Sequence, residues 1–123
     1  MPKTTPAADP LQALQKKINR FVRERGWEQF HTPKNLAMAL SVEAAELVEI
    51  FQWLDGATSV AKLPPKTQQA VADEVADVLV YLLRFCAVAG IDPIAAARAK
   101  LKKNAVKYPV QLVKGKSAKY TEY

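Results

Sequence analysis

Two acidic pairs, Glu43-x-x-Glu46 and Glu74-x-x-Asp77, each sit inside an otherwise apolar run, SVEAAELVEIFQWL and VADEVADVLVYLL. Residues three apart share one face of a helix, so each pair aims two carboxylates the same way. A carboxylate buried alone costs roughly several kcal/mol, and it survives in a core only when paired or holding a cation. Antiparallel packing of the two helices would bring both pairs together mid-bundle. An oxygen-only set of this kind selects a hard cation, Mg²⁺ or Mn²⁺. Glu43, Glu46, Glu74 and Asp77 are therefore the candidate metal ligands and catalytic carboxylates.

Two other readings of the acidic residues compete. Glu49 continues the acidic row of the first run, which suits a solvated helix edge. The second run argues against that, because Asp73, Glu74 and Asp77 are nearly the only charges between Lys66 and Arg84, and aspartate is a poor helix-interior residue. Something positive must face them, and a lysine from the basic C-terminal segment is the alternative to a metal. A di-iron bundle would need a Glu-x-x-His on each of two helices, and zinc would need more Cys and His ligands. One cysteine, Cys86, and one histidine, His31, supply neither.

Local signals divide the chain into four helices. Leu11, Leu14, Ile18, Phe21 and Val22 recur at amphipathic spacing, in a helix that ends near Gly26. Thr32-Pro33 reads as N-cap and first helical residue of a second helix, from Pro33 to about Leu54. The stretch DGATSVAKLPP is a loop. A third helix spans about Lys66 to Ala89 and stops at Gly90. Asp92-Pro93 repeats the cap signal and opens a fourth, to about Lys107, with Pro109 beyond it. No stretch alternates like a strand. The expected fold is an all-α, four-helix bundle over residues 10–110, with a disordered N-terminus over 1–9 and a basic tail of uncertain order over 111–123. The third helix is apolar nearly all round, so it should be central or covered by a second subunit.

Net charge is +6 and unevenly placed. Residues 1–90 hold ten basic and ten acidic side chains, whereas residues 91–123 hold eight and two and so supply the whole excess. That points to an anionic partner or to a solubilising tail. The segment MPKTTPAADP lacks the apolar core of a signal peptide, and no apolar run reaches the roughly 20 residues that span a bilayer. A single cysteine forms no internal disulfide. A cytoplasmic protein without a membrane partner is expected.

Trp27, Trp53 and Tyr81 each join an apolar body to a polar tip, on which a nucleobase could stack. Phe30 and Phe51 are expected in the core. His31 reads first as a residue at the start of a helix and second as a base contact, and it joins the substrate-binding candidates. Lys100, Lys103, Asn104 and Lys107 occupy one side of the fourth helix, as a solvated face or, beside a metal site, as a phosphate clamp.

ERGWEQFHTPKNLAMALSVEAAELVEIFQW, then EVADVLVYLLR, then AKLKKNAVKYP together resemble the MazG-like nucleotide pyrophosphohydrolases. These are all-α NTP pyrophosphatases, and the likeness is to their small dCTP-pyrophosphatase branch, over about Leu14 to Pro109. The resemblance implies Mg²⁺-dependent hydrolysis of a nucleoside triphosphate to monophosphate and pyrophosphate. It implies that Glu43, Glu46, Glu74 and Asp77 hold the metal, that Trp27, Trp53 and Tyr81 belong to the base pocket, and that Lys100 and Asn104 contact the nucleotide. It further implies a homodimer or homotetramer. Vertebrate members carry a histidine where Ile18 stands, so the base preference does not carry over. A nucleic-acid-binding helical protein using the basic C-terminal third is the alternative function, though it leaves the acidic cluster unexplained; a dimerising helical adaptor is a third.

Overall fold

Three of the helices begin where a side chain accepts from free backbone N–H groups. The computed structural model describes residues 9–117 and 120–122. In it Asp9 Oδ1 accepts from Leu11 N at 3.0 Å ahead of α1 (Pro10–Glu24). Thr32 Oγ1 accepts from Asn35 N at 3.2 Å ahead of α2 (Pro33–Phe51). Asp92 Oδ1 accepts from Ile94 N and Ala95 N ahead of α4 (Pro93–Lys107). Proline stands at the start of all three, where its missing N–H costs nothing. α3 (Pro65–Ala89) stops at Gly90, whose φ of 69° is left-handed and whose N–H returns to Cys86 O; a residue without Cβ takes that conformation at no steric cost.

The all-α expectation holds, with no strand among the described residues. The chain divides into two compact units, Met1–Gly90 and Ile91–Tyr123. Three of the four expected helices form the first unit. The fourth opens the second, followed by a short α5 (Val110–Val113) that the sequence pattern does not announce. The expectation of a disordered N-terminus falls largely on residues 1–8, outside the described residues, as do residues 118, 119 and 123 of the tail.

Within the first unit α3 is central, packing on both α1 and α2. Ile18 and Val22 of α1 bury against Leu83, with Leu11 and Leu14 beside them. Leu36 and Leu83 are each only 1 % exposed, and burying a leucine fully is worth about 1.5–3 kcal/mol. Gln15 Nε2 donates to Leu83 O at 3.0 Å and ties α1 to α3 through a polar contact as well. The loop before α3 is pinned by Gln68, whose Nε2 donates to Ala61 O and Leu63 O. No single helix among the described residues is long and apolar enough to cross a membrane.

Phe30 corrects a sequence expectation. It lies in a 3-10 turn, Glu28–Phe30, and is 60 % exposed rather than in the core. The turn's geometry sets its direction: Phe30 O accepts from Asn35 Nδ2, which anchors the backbone and leaves the ring outside. Phe51, by contrast, is half-buried at the end of α2.

Candidate active site

Packing of α2 on α3 brings Glu43, Glu46 and Glu74 together, with one oxygen of each within 4.8 Å of the others. Glu43 and Glu74 are half-buried and Glu46 is exposed. Oε2 of Glu43 and Oε2 of Glu74 are shielded from solvent and have no hydrogen-bond partner. Among the described residues of the first unit, no lysine or arginine lies within ion-pair distance of these carboxylates. Like charges gathered out of water favour the protonated form. Glu43 is accordingly pushed up to about 7, first by lost hydration and then by its neighbouring carboxyls Glu46, Glu74 and Asp77. Glu74 is raised as well, again chiefly by lost hydration. No hydrogen bond of ordinary geometry joins the three carboxyls, so the lost hydration is the firmer cause.

An oxygen-only trio with two orphaned oxygens fits a hard divalent cation, which Glu43, Glu46 and Glu74 would hold. Asp77 stands outside the trio. Its charge acts on Glu43 and Glu74, and its side chain lines an adjoining cavity.

That cavity has a volume of about 430 Å³, within the range of small-molecule sites. Lys17, Ile18, Phe21 and Val22 of α1 line one side, Trp27 and His31 the turn, and Asp77, Val80, Tyr81 and Arg84 of α3 the other. Trp27 is set by its neighbours: its backbone N–H donates to Val22 O at 3.1 Å, and its ring meets Phe21 edge-on at 5.7 Å. The Arg25 guanidinium covers Phe21, 3.5 Å from the ring centre. Arg84 Nε donates to His31 Nδ1 at 3.0 Å, and Arg84 Nη1 donates to Asn19 Oδ1 at 2.9 Å. Burial, and then the Arg84 charge, hold His31 below its ordinary value.

Of the sequence candidates, Trp27, His31, Asp77 and Tyr81 thus meet at one cavity, next to the glutamate trio. Trp53 does not: it lies just past α2, 88 % exposed. Lys100 and Asn104 lie on α4 in the second unit, where Asn104 is half-buried and its carbonyl accepts from Tyr108 N at 2.8 Å. Sequence reasoning missed Arg84, Asn19 and Lys17. The available signal was a lone arginine in an apolar helix, three residues after Tyr81 and so on the same face.

Residues 38–123 match the MazG-like family. The chain is 40 % identical over 113 residues to dCTP pyrophosphatase 1 of Mus musculus, covering 91 % of this chain and 66 % of that protein. To dCTP pyrophosphatase 1 of Homo sapiens it is 39 % identical over the same shares. The chain thus spans 66 % of the length of these curated relatives. The crystal structure of a pyrophosphatase from Archaeoglobus fulgidus DSM 4304 superposes with a TM-score of 0.79 at 42 % identity, covering 87 % of this chain and 99 % of that one. The chain belongs to the MazG-like family, and its likeness within it is to nucleotide pyrophosphatases of the dCTP pyrophosphatase kind.

Proposed function

We propose that this protein hydrolyses nucleoside triphosphates, dCTP or a modified dCTP foremost, to the monophosphate and pyrophosphate, with Mg²⁺ or Mn²⁺ as cofactor. The observation that carries this reading is the glutamate trio, with its two orphaned oxygens, beside a cavity walled by Trp27, His31 and Tyr81. The relatives named dCTP pyrophosphatase 1 support the choice of substrate. A cation held by Glu43, Glu46 and Glu74, with the Asp77 carboxylate beside them, would neutralise triphosphate oxygens and lower the pKa of a bound water.

In the reaction, water oxygen bonds to the α-phosphorus, the bond to the bridging oxygen breaks, and pyrophosphate leaves with the electron pair. Glu46, the exposed member of the trio, would take the water's proton. Trp27 and Tyr81 hold the base between aromatic surfaces, with His31 beside them; Trp53, outside this cavity, enters the substrate-binding set from the family resemblance alone. The family resemblance alone adds Lys100 and Asn104 as nucleotide contacts, where a lysine would offset charge on the leaving pyrophosphate. The protein works as a homodimer or homotetramer in the cytoplasm. Exposed Val75, Leu79 and Leu82 on the central helix support the assembly, and a single buried cysteine, Cys86, suits a reducing compartment.

The deciding experiment is a panel of ribo- and deoxyribonucleoside triphosphates with Mg²⁺ and with EDTA, the products separated by chromatography. Monophosphate plus pyrophosphate, formed only with metal and lost in Glu46→Ala and Asp77→Ala, is the expected result. Diphosphate plus phosphate would refute the site of attack. No turnover of any triphosphate would refute the enzyme, and salt-sensitive binding to DNA or RNA would then favour the nucleic-acid reading.

A further inference from the structure

Arg84 does more in this cavity than fill its wall. A guanidinium is protonated at every accessible pH and can only donate. Its Nε–H is directed at His31 Nδ1, 3.0 Å away, so that nitrogen must be the bare acceptor of the imidazole. Flipping the ring would put a carbon in its place and orphan the donor. The second arm, Nη1, is held at 2.9 Å by Asn19 Oδ1, so the guanidinium is fixed at two points, from α1 and from the turn before α2. With Nδ1 occupied, the one polar atom His31 has left for a ligand is its other nitrogen, which then carries the proton. His31 and Arg84 both line the cavity.

We propose that Arg84 is a positioning residue that locks His31 as an N–H donor, so that the cavity selects a heterocycle presenting a carbonyl oxygen. The other polar lining groups agree. Trp27 offers an indole N–H and Lys17 an ammonium, both donors only, while Tyr81 can act either way. Asp77 is the single obligatory acceptor, and it adjoins the glutamate trio. A pyrimidine carbonyl satisfies such a wall, whereas adenine carries no carbonyl. A buried donor left without an acceptor loses about tenfold or more in binding. This inference deepens the nucleotide reading and rests on it for the identity of the ligand; the locked tautomer stands without it.

The chain has one histidine, so a long-range proton–nitrogen spectrum of ¹⁵N-histidine-labelled protein, recorded above the imidazole pKa, reports on His31 without assignment. A single Nε2–H tautomer is expected in the wild type, and a tautomer mixture in Arg84→Met. A mixture or an Nδ1–H form in the wild type would overturn the proposal, as would an unchanged tautomer in the variant. Steady-state kinetics supply the second arm: Arg84→Met should raise KM for dCTP about tenfold, leave kcat nearly unchanged, and barely move KM for dATP. An equal rise for both nucleotides, or none, would refute the selection. Arg84→Leu, which likewise removes every donor facing His31 Nδ1, takes the place of Arg84→Met if that variant does not fold, with the same outcomes. Should no triphosphate be turned over, the enzyme reading fails, while the nitrogen spectrum still decides whether Arg84 sets the tautomer.

Discussion

At Glu43 a carboxyl with an ordinary value of 4.5 is pushed up to about 7, first by lost hydration and then by its acidic neighbours. Without metal, the folded protein therefore binds more protons than the unfolded chain between those two values. Stability is highest below about 4.5 as far as this group is concerned, and falls as pH rises through about 7. Glu74 shifts in the same direction and adds to the slope. In EDTA, thermal melts should show a smaller drop in Tm between pH 5 and pH 8 for Glu43→Gln than for wild type, because the neutral amide removes one of two contributors. A variant slope equal to the wild-type slope would show that Glu43 ionises normally. The residue types at this cluster were legible in the sequence, since carboxylates in apolar helices need a partner. That Glu46 joins the trio while Asp77 faces the cavity was not, because spacing fixes a helix face and not the depth of each side chain. Arg84 was visible only as a break in an apolar run; its partners Asn19 and His31 are 65 and 53 residues away in sequence.

The helices themselves follow local chemistry. Thr32, Asp92 and Gly90 mark their ends because capping involves groups within three or four residues of the cap. Phe30 shows the limit of that logic: apolarity alone placed it inside, and a 3-10 turn placed it outside. The central position of α3 also has an energetic reading. Leu83 packs with Ile18 and Val22, so Leu83→Ala should cost about 2–5 kcal/mol in denaturant unfolding. Val75 lies on the same helix at 52 % exposure, on the face proposed to meet a second copy, so Val75→Ala should cost more than the roughly 0.5 kcal/mol of a solvated position. A cost for Val75→Ala near that of Leu83→Ala would reveal a covered face, and sedimentation analysis of the wild type would show the second copy that covers it.

Across the whole molecule, the change in charge after residue 90 coincides with the division of the chain into two units at Gly90. The first unit carries the glutamate trio and the cavity, and the second carries Lys100 and Asn104. A cation that binds the folded trio and not the unfolded chain must stabilise by mass action, by about 2.7 kcal/mol when present at 100 times its Kd. Millimolar Mg²⁺ should thus raise Tm at pH 8 in wild type and much less in Glu74→Gln, measured by scanning calorimetry. Identical melts with Mg²⁺ and with EDTA would remove the metal site. The effect should weaken towards pH 5, because protons compete for the same oxygens. By itself the sequence determined what depends on near neighbours and on solvation: helix ends, an all-α class, and the need of four acids in apolar helical runs for a counter-charge. Only the tertiary structure decided which side chains share one cavity, because Lys17, His31 and Arg84 meet through the packing of α1 on α3, and no local rule relates residues that far apart.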